Sequence, residues 1–245
     1  MARPSSRGAE PPLDTIRRVY RTWGQHPRLY AAQDWVTFLA RHRAIRRAAV
    51  DAAGLRPGQR ALEIGCGTGR NLGYLQARVG PTGEIVAFDY SADMLDAARA
   101  LSRARGWENV RFVQGDAAAL EVGDAPFDAV VSVLALSVVP DYERALERSR
   151  AVLRPGGVLS VCDGRLFGRR LAWLNPLLRR IYTGPTAWDP DRDLAAAMRR
   201  VFGFVSVRTF NAGTLFIATA RKPEGPAPSR VARDARTYGP GAGDD

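Results

Sequence analysis

The stretch Ala61–Leu72, ALEIGCGTGRNL, decides how this chain is read. An apolar run ends in a turn with glycines at 65, 67 and 69, and a helical pattern follows from Gly69 to Val79. A buried strand that enters a glycine-rich turn and then a helix is the opening unit of a parallel sheet with its ligand site beyond the strand ends. Glycine at such a turn allows left-handed backbone angles and lets a ligand approach the main chain closely.

Working outward, strands and helices alternate. EIVAFD (84–89) reads as a second strand, followed by a helix from about Ser91 to Arg105. VRFVQGD (110–116) and FDAVVSVLAL (127–136) read as a third and a fourth. A helix from about Asp141 to Leu153 halts at RPGG, and VLSVCDG (158–164) is a fifth strand. Helices between successive strands imply a parallel sheet covered on both faces. GFVSVRTF (203–210) and GTLFIATARK (213–222) meet at NAG, a hairpin signal that predicts antiparallel pairing at one edge. The fold class expected is α/β, doubly wound, with a seven-stranded sheet that is mostly parallel and ends in an antiparallel edge hairpin.

A length of 245 residues suits one domain with decorated ends. Residues 1–13 and 222–245, rich in Pro, Gly, Ala and charge, are expected to be disordered tails. The domain would span 14–221, with a helical cap at 14–53 and an insertion at 165–193. No charge-free apolar run approaches the length of a membrane span, and the first residues lack the apolar core of a signal peptide. Cys66 and Cys162 are far apart, and with only two histidines no zinc-ligand pattern forms, so no metal is expected. The expectation is a cytoplasmic protein with reduced thiols, both acting as small buried hydrophobes. Net charge is +11, and 35 of the 36 basic residues are arginine. A GC-rich coding bias accounts for arginine over lysine, but the surplus of positive charge still points to phosphate, in nucleic acid or on a lipid surface.

The spacing around the turn narrows the ligand. A pyrophosphate site needs G-x-G-x-x-G, whereas this turn reads E-x-G-x-G-x-G with Glu63 ahead of it. An acidic neighbour repels pyrophosphate and tolerates a cationic head. Asp89 closes the second strand, 20 residues beyond Gly69, where a carboxylate can accept from a ribose diol. A nucleoside without phosphate fits best.

Residues 60–163 resemble the class I S-adenosylmethionine-dependent methyltransferases, a Rossmann-like family. ALEIGCGTGRNL, IVAFDYSADML, VQGDAAAL, FDAVVSVLAL and LRPGGVLSV match five motifs of that family in the right order. The resemblance implies S-adenosyl-L-methionine as cofactor. It implies that the backbone of Gly65, Cys66, Gly67, Thr68 and Gly69 faces the methionine moiety while Glu63 orients its amino group. Asp89 would hold the ribose hydroxyls, with Tyr90 and Met94 near the adenine. Asp116 would reach the adenine amino group, aided by the Ala117 amide, and Val133 and Leu134 would pass beneath the cofactor.

The acceptor must come from the flanks. The Asn/Asp-Pro-Pro-Tyr motif of nucleic-acid amino methylation is replaced by SVLALSVVPD, so no nucleic-acid substrate is expected. The insertion RLFGRRLAWLNPLLRRIYTGPTAWDPDRD mixes apolar residues with Arg165, Arg169, Arg170, Arg179 and Arg180, either as a substrate lid or as a lid that also contacts anionic membrane. The insertion, the chain's last strand and VYRTWGQHPRLYAAQDWV resemble bacterial phospholipid N-methyltransferases and, more loosely, the ubiquinone and menaquinone methyltransferases. That likeness implies a phospholipid amine as acceptor, or else a quinone-like or soluble small molecule; a non-catalytic cofactor-binding module is the third reading. Relatives carry a tyrosine in an N-terminal helix over the cofactor, for which Tyr20 and Tyr30 are candidates. Tyr20, Trp23 or Trp173 could hold a methylated ammonium, and Arg43, Arg46 or Arg47 a lipid phosphate. A protein of this kind would sit in the cytoplasm, in peripheral contact with the inner face of the membrane.

Overall fold

The computed structural model describes residues 37–38, 41–186 and 188–225. Tyr20, Tyr30, Trp23, the first tail and most of the second lie outside the described residues, as does most of the expected cap. Seven strands form one sheet: β1 (Arg60–Ile64), β2 (Glu84–Asp89), β3 (Val110–Gln114), β4 (Phe127–Val133), β5 (Leu153–Gly164), β6 (Val205–Phe210) and β7 (Leu215–Arg221). Their order is β3-β2-β1-β4-β5-β7-β6. All neighbours up to β5 pair in parallel, and β7 pairs antiparallel with both β5 and β6. The hairpin therefore enters reversed: its second strand docks on β5 and its first becomes the edge. Its turn spends three successive residues at positive φ, Asn211, Ala212 and Gly213.

Among the described residues the α-helices are α1 (His42–Asp51), α2 (Leu72–Val79), α3 (Ala92–Ala104), α4 (Tyr142–Val152), α5 (Asn175–Thr186) and α6 (Leu194–Phe202). Three begin on side-chain caps, where Ser91, Asp141 and Asp193 accept from the amides of Met94, Arg144 and Ala196. The helix expected from Gly69 starts only at Leu72, because Gly69 holds a φ of 82° and the chain is still turning there. Leu62, Ile64, Val86, Phe88 and Val130 pack with Leu146 and Met198, placing α4 and α6 on one face of the sheet. Ala61, Ile85, Ala87 and Val131 pack with Val50, Leu75 and Leu95, placing α1, α2 and α3 on the other. β1 and β2 are buried at every residue after the first, so neither shows the alternation of a strand with one face in water. The chain stays ordered past β7: the Lys222 amide donates to the Gly157 carbonyl at 2.8 Å, within the segment expected to be a tail.

The sequence order reverses between β1 and β4, and this switch point opens a crevice at the carboxyl ends of the strands.

Candidate functional site

A mostly apolar cleft lies at that switch point. Gly65, Asp89, Tyr90, Asp116 and Ala117 line one side, and Ala135, Val138, Val139 and Pro140 line the other. The second wall is absent from the sequence-based expectation. Its signal was the run LSVVP, which leaves β4 apolar and free of strand alternation. Leu134 makes the wall possible by turning the chain at a φ of 55°, rare for a branched residue and costly enough to mark a position the fold overdetermines.

The glycine loop is held by the protein itself. The amides of Gly65 and Cys66 both donate to the Phe88 carbonyl, at 2.8 and 3.1 Å. The Gly67 amide donates to Asp89 Oδ2 at 2.7 Å, and the Gly69 amide to the Cys66 carbonyl at 3.0 Å. Four of the five loop amides are thus committed internally. A phosphate site presents its amides outward to the anion, so this turn is not built for one. Asp89 has a second task beyond facing the cleft: its carboxylate clamps the Gly67 amide and, at 2.9 Å, the Ser91 amide. Burial raises the Asp89 pKa above the ordinary carboxylate value, against the lowering effect of those amides.

Glu63 sits behind the loop, wholly buried. Its Oε1 accepts from Asn71 Nδ2 at 2.6 Å, and Asn71 Oδ1 in turn accepts from Arg46 at 2.9 Å. Oε2 has no partner and no water access among the described residues. Burial pushes the Glu63 pKa up to about 8, the Asn71 bond and the Arg46 charge opposing. A buried acceptor that lacks a donor beside a loop that rejects anions suits an ammonium group, which would fill the missing bond and favour the ionised carboxylate. Asp89 and the apolar walls would suit the nucleoside of S-adenosylmethionine. Glu63, Cys66 and Gly67 do not line the cleft, and Glu63 Oε2 lies behind the loop as the acceptor that the amino group would have to reach.

The remaining expectations are redistributed. Asp116 lines the cleft while also capping the short turn Ala117–Ala119 through the Ala118 amide at 2.9 Å. Met94, 1% exposed, lies in the core and does not line the cleft. Val133 packs in the core, and Thr68, Gly69 and Leu134 stand near the cleft without lining it. Cys66 points into the core, where burial pushes its thiol pKa up, and Cys162 is buried too. Arg46 is no phosphate anchor: it is 4% exposed, stacked at 5.0 Å on Phe38 and tied to Asn71. Arg47 stays at the surface, 3.9 Å from Asp51. Trp173 is 74% exposed, which argues against a role in enclosing a ligand.

A third buried carboxyl braces the new wall. Asp163, at the end of β5, accepts from the Ser137 hydroxyl at 2.7 Å, the Ser137 amide at 3.1 Å and the Gly164 amide at 2.7 Å. Burial still raises its pKa to about 6. From the insertion, Arg192 donates to the carbonyls of Ser137 and Val139 and lies 5.0 Å over the Tyr142 ring. The insertion and the cleft wall are therefore one bonded unit. No group of three metal-binding side chains occurs among the described residues.

Burial raises three carboxyls, Glu63, Asp89 and Asp163, and this predicts a pH dependence. In each, the native chain keeps a proton that the unfolded chain has released, so their stabilising contribution is complete at low pH and declines as pH rises. For Asp163 the decline runs from 3.8 to about 6, and for Glu63 from 4.5 to about 8. The melting temperature of the ligand-free protein should fall across that range, and Glu63→Gln should flatten its upper half. Binding of an ammonium ligand at neutral pH should expel a proton, seen as a calorimetric heat that depends on the buffer; in Glu63→Gln that dependence should vanish.

Comparison with known proteins matches residues 61–157 to a family described as a methyltransferase domain. A demethylmenaquinone methyltransferase of Staphylococcus aureus is 35% identical over 145 residues, covering 59% of each chain. The chain thus spans about three fifths of the length of the curated relatives it matches. Among solved structures, a SAM-dependent methyltransferase from Aquifex aeolicus aligns with a TM-score of 0.58 at 18% identity, covering 77% of this chain and 92% of that one. The [4+2]-cyclase SpnF aligns equally well, with a TM-score of 0.58 at 20% identity over 74% and 81% of the two chains. The fold alone does not choose the reaction.

Proposed function

We propose that the chain is an S-adenosylmethionine-dependent methyltransferase, supported by the match of residues 61–157 to a methyltransferase domain, and that it methylates an apolar small molecule of the quinone class, of the kind named for its Staphylococcus aureus relatives. The observation that carries the cofactor half is the pairing of internally bonded loop amides with the unpartnered Glu63 Oε2. The 35% identity to demethylmenaquinone methyltransferases favours a quinone-like acceptor over the phospholipid amine.

The cofactor, when bound, supplies an activated methyl group on sulfonium. The chain's own task is then alignment and exclusion of water. Asp89 and Asp116 orient the nucleoside, Glu63 the amino end, and the Val138–Pro140 wall keeps the cleft dry. Arg192 and Asp163 hold that wall from behind.

The test is a methyl-transfer assay with labelled S-adenosylmethionine and two acceptors in detergent, reduced demethylmenaquinone and phosphatidylethanolamine. The expected result is label in the quinone fraction and none in the phospholipid. Label in phospholipid alone would overturn the acceptor, and absence of cofactor binding by calorimetry would overturn the reading of the cleft.

A further inference from the structure

The insertion carries an apolar stripe that nothing described in the protein covers. Trp173, Leu177 and Ile181 are 74%, 56% and 47% exposed. Their four-residue spacing along the short turn Arg169–Leu174 and the following α5 puts them on one face. The opposite face is anchored: Arg179 bridges to Asp191 at 2.5 Å, and Tyr182 meets the Trp188 ring edge-on at 6.1 Å. Orientation of the helix is thus set by the protein, and the stripe faces outward because the back is occupied.

Charge selects what meets the stripe. Residues 164–188 hold five arginines and no acidic residue. Arg169, Arg170 and Arg180 are exposed beside the stripe, while Asp191 bonds Arg179 on its back. A second copy of a chain with net charge +11 would bring like charge to this face. An amphipathic helix with Trp and Leu on one face and arginines flanking it is suited to the boundary between anionic headgroups and acyl chains.

We propose that Trp173, Leu177 and Ile181, flanked by Arg169, Arg170 and Arg180, dock the protein on an anionic membrane surface. No helix among the described residues is long and apolar enough to cross a membrane, so the contact is peripheral. The insertion leaves β5 at Gly164, its carboxyl end, and the cleft lies at the carboxyl ends of the neighbouring parallel strands. Docking would bring the cleft mouth to the phase in which a quinone dissolves, a consequence that rests on the acceptor proposed above.

The test is co-sedimentation of the full chain with vesicles of equal parts phosphatidylcholine and phosphatidylglycerol, against phosphatidylcholine alone. Wild type should sediment with the anionic vesicles at low salt and be released by high salt. At about 1 kcal/mol for each arginine near the surface, R169A/R170A/R180A should bind about a hundred-fold more weakly. W173E/L177E/I181E should lose binding at least as far. Calorimetry with S-adenosylmethionine on the same samples should give wild-type affinity, showing that the variants are folded. If wild type stays in the supernatant, or the triple glutamate variant sediments like wild type, the stripe is not a membrane surface. Vesicle binding without cofactor binding would leave docking in place and overturn the reading of the cleft instead.

Discussion

Gly65→Ala is expected to cost the fold about 3 kcal/mol and to abolish measurable binding of S-adenosylmethionine. Two effects add at this position. Gly65 holds a φ of 68°, where a Cβ crowds the following carbonyl. That Cβ would also stand 2.2 Å from the Ala135 Cβ, far inside van der Waals contact. Neither side yields easily, because the Gly65 amide is tied to Phe88 and Ala135 follows the left-handed Leu134. The loop must move away from the opposite wall, and the cleft between them loses its shape. Adding Ala135→Gly removes the clash but not the backbone cost, so the double variant should recover all but about 1–2 kcal/mol and regain partial binding. Denaturant unfolding and calorimetry on the four proteins of this cycle check both parts. Wild-type affinity in Gly65→Ala would show that the two walls do not meet around the ligand.

Asp89→Ala should weaken S-adenosylmethionine binding at least a hundred-fold, and it should also lower stability by about 1–3 kcal/mol. The sequence alone points only to a ligand role for Asp89, as an acceptor for the ribose diol. The structure gives it a structural load, since removal strands the half-buried Gly67 and Ser91 amides. Asp89→Asn separates the roles. Its one carbonyl oxygen can serve only one of the two amides, and its NH2 faces the other. Stability should fall between wild type and Ala, while the ribose still loses a charged acceptor. Equal stability of all three proteins would mean that the clamp on the loop carries no weight.

How far such roles can be read from sequence depends on their range. The alternation of β1 to β5 with α2, α3 and α4 was legible because buried strands and amphipathic helices leave local periodicities, and Ser91 and Asp141 mark helix starts in place. Asp89 was legible for the same reason, as the last residue of a strand whose length is visible. The reach of its second bond to Gly67 was not, because it joins residues from two different strand–helix turns. Met94 misled through proximity in sequence: it follows Asp89 by one helical turn, but its side chain turns into the core.

By itself the sequence determined the layered α/β plan, the position of the glycine turn and the bias against a phosphate ligand, since each depends on residues close together along the chain. Only the tertiary structure decided that β7 lies between β5 and β6, that residues 135–140 form the second wall, and that Arg46, Asn71 and Glu63 form one buried chain of hydrogen bonds. The reason is physical. The environment of a charged side chain is set by whatever distant segment packs over it, and local periodicity carries no record of that neighbour. Arg46 and Arg47 are adjacent in an arginine-rich helix, yet one is buried against Phe38 and the other faces water.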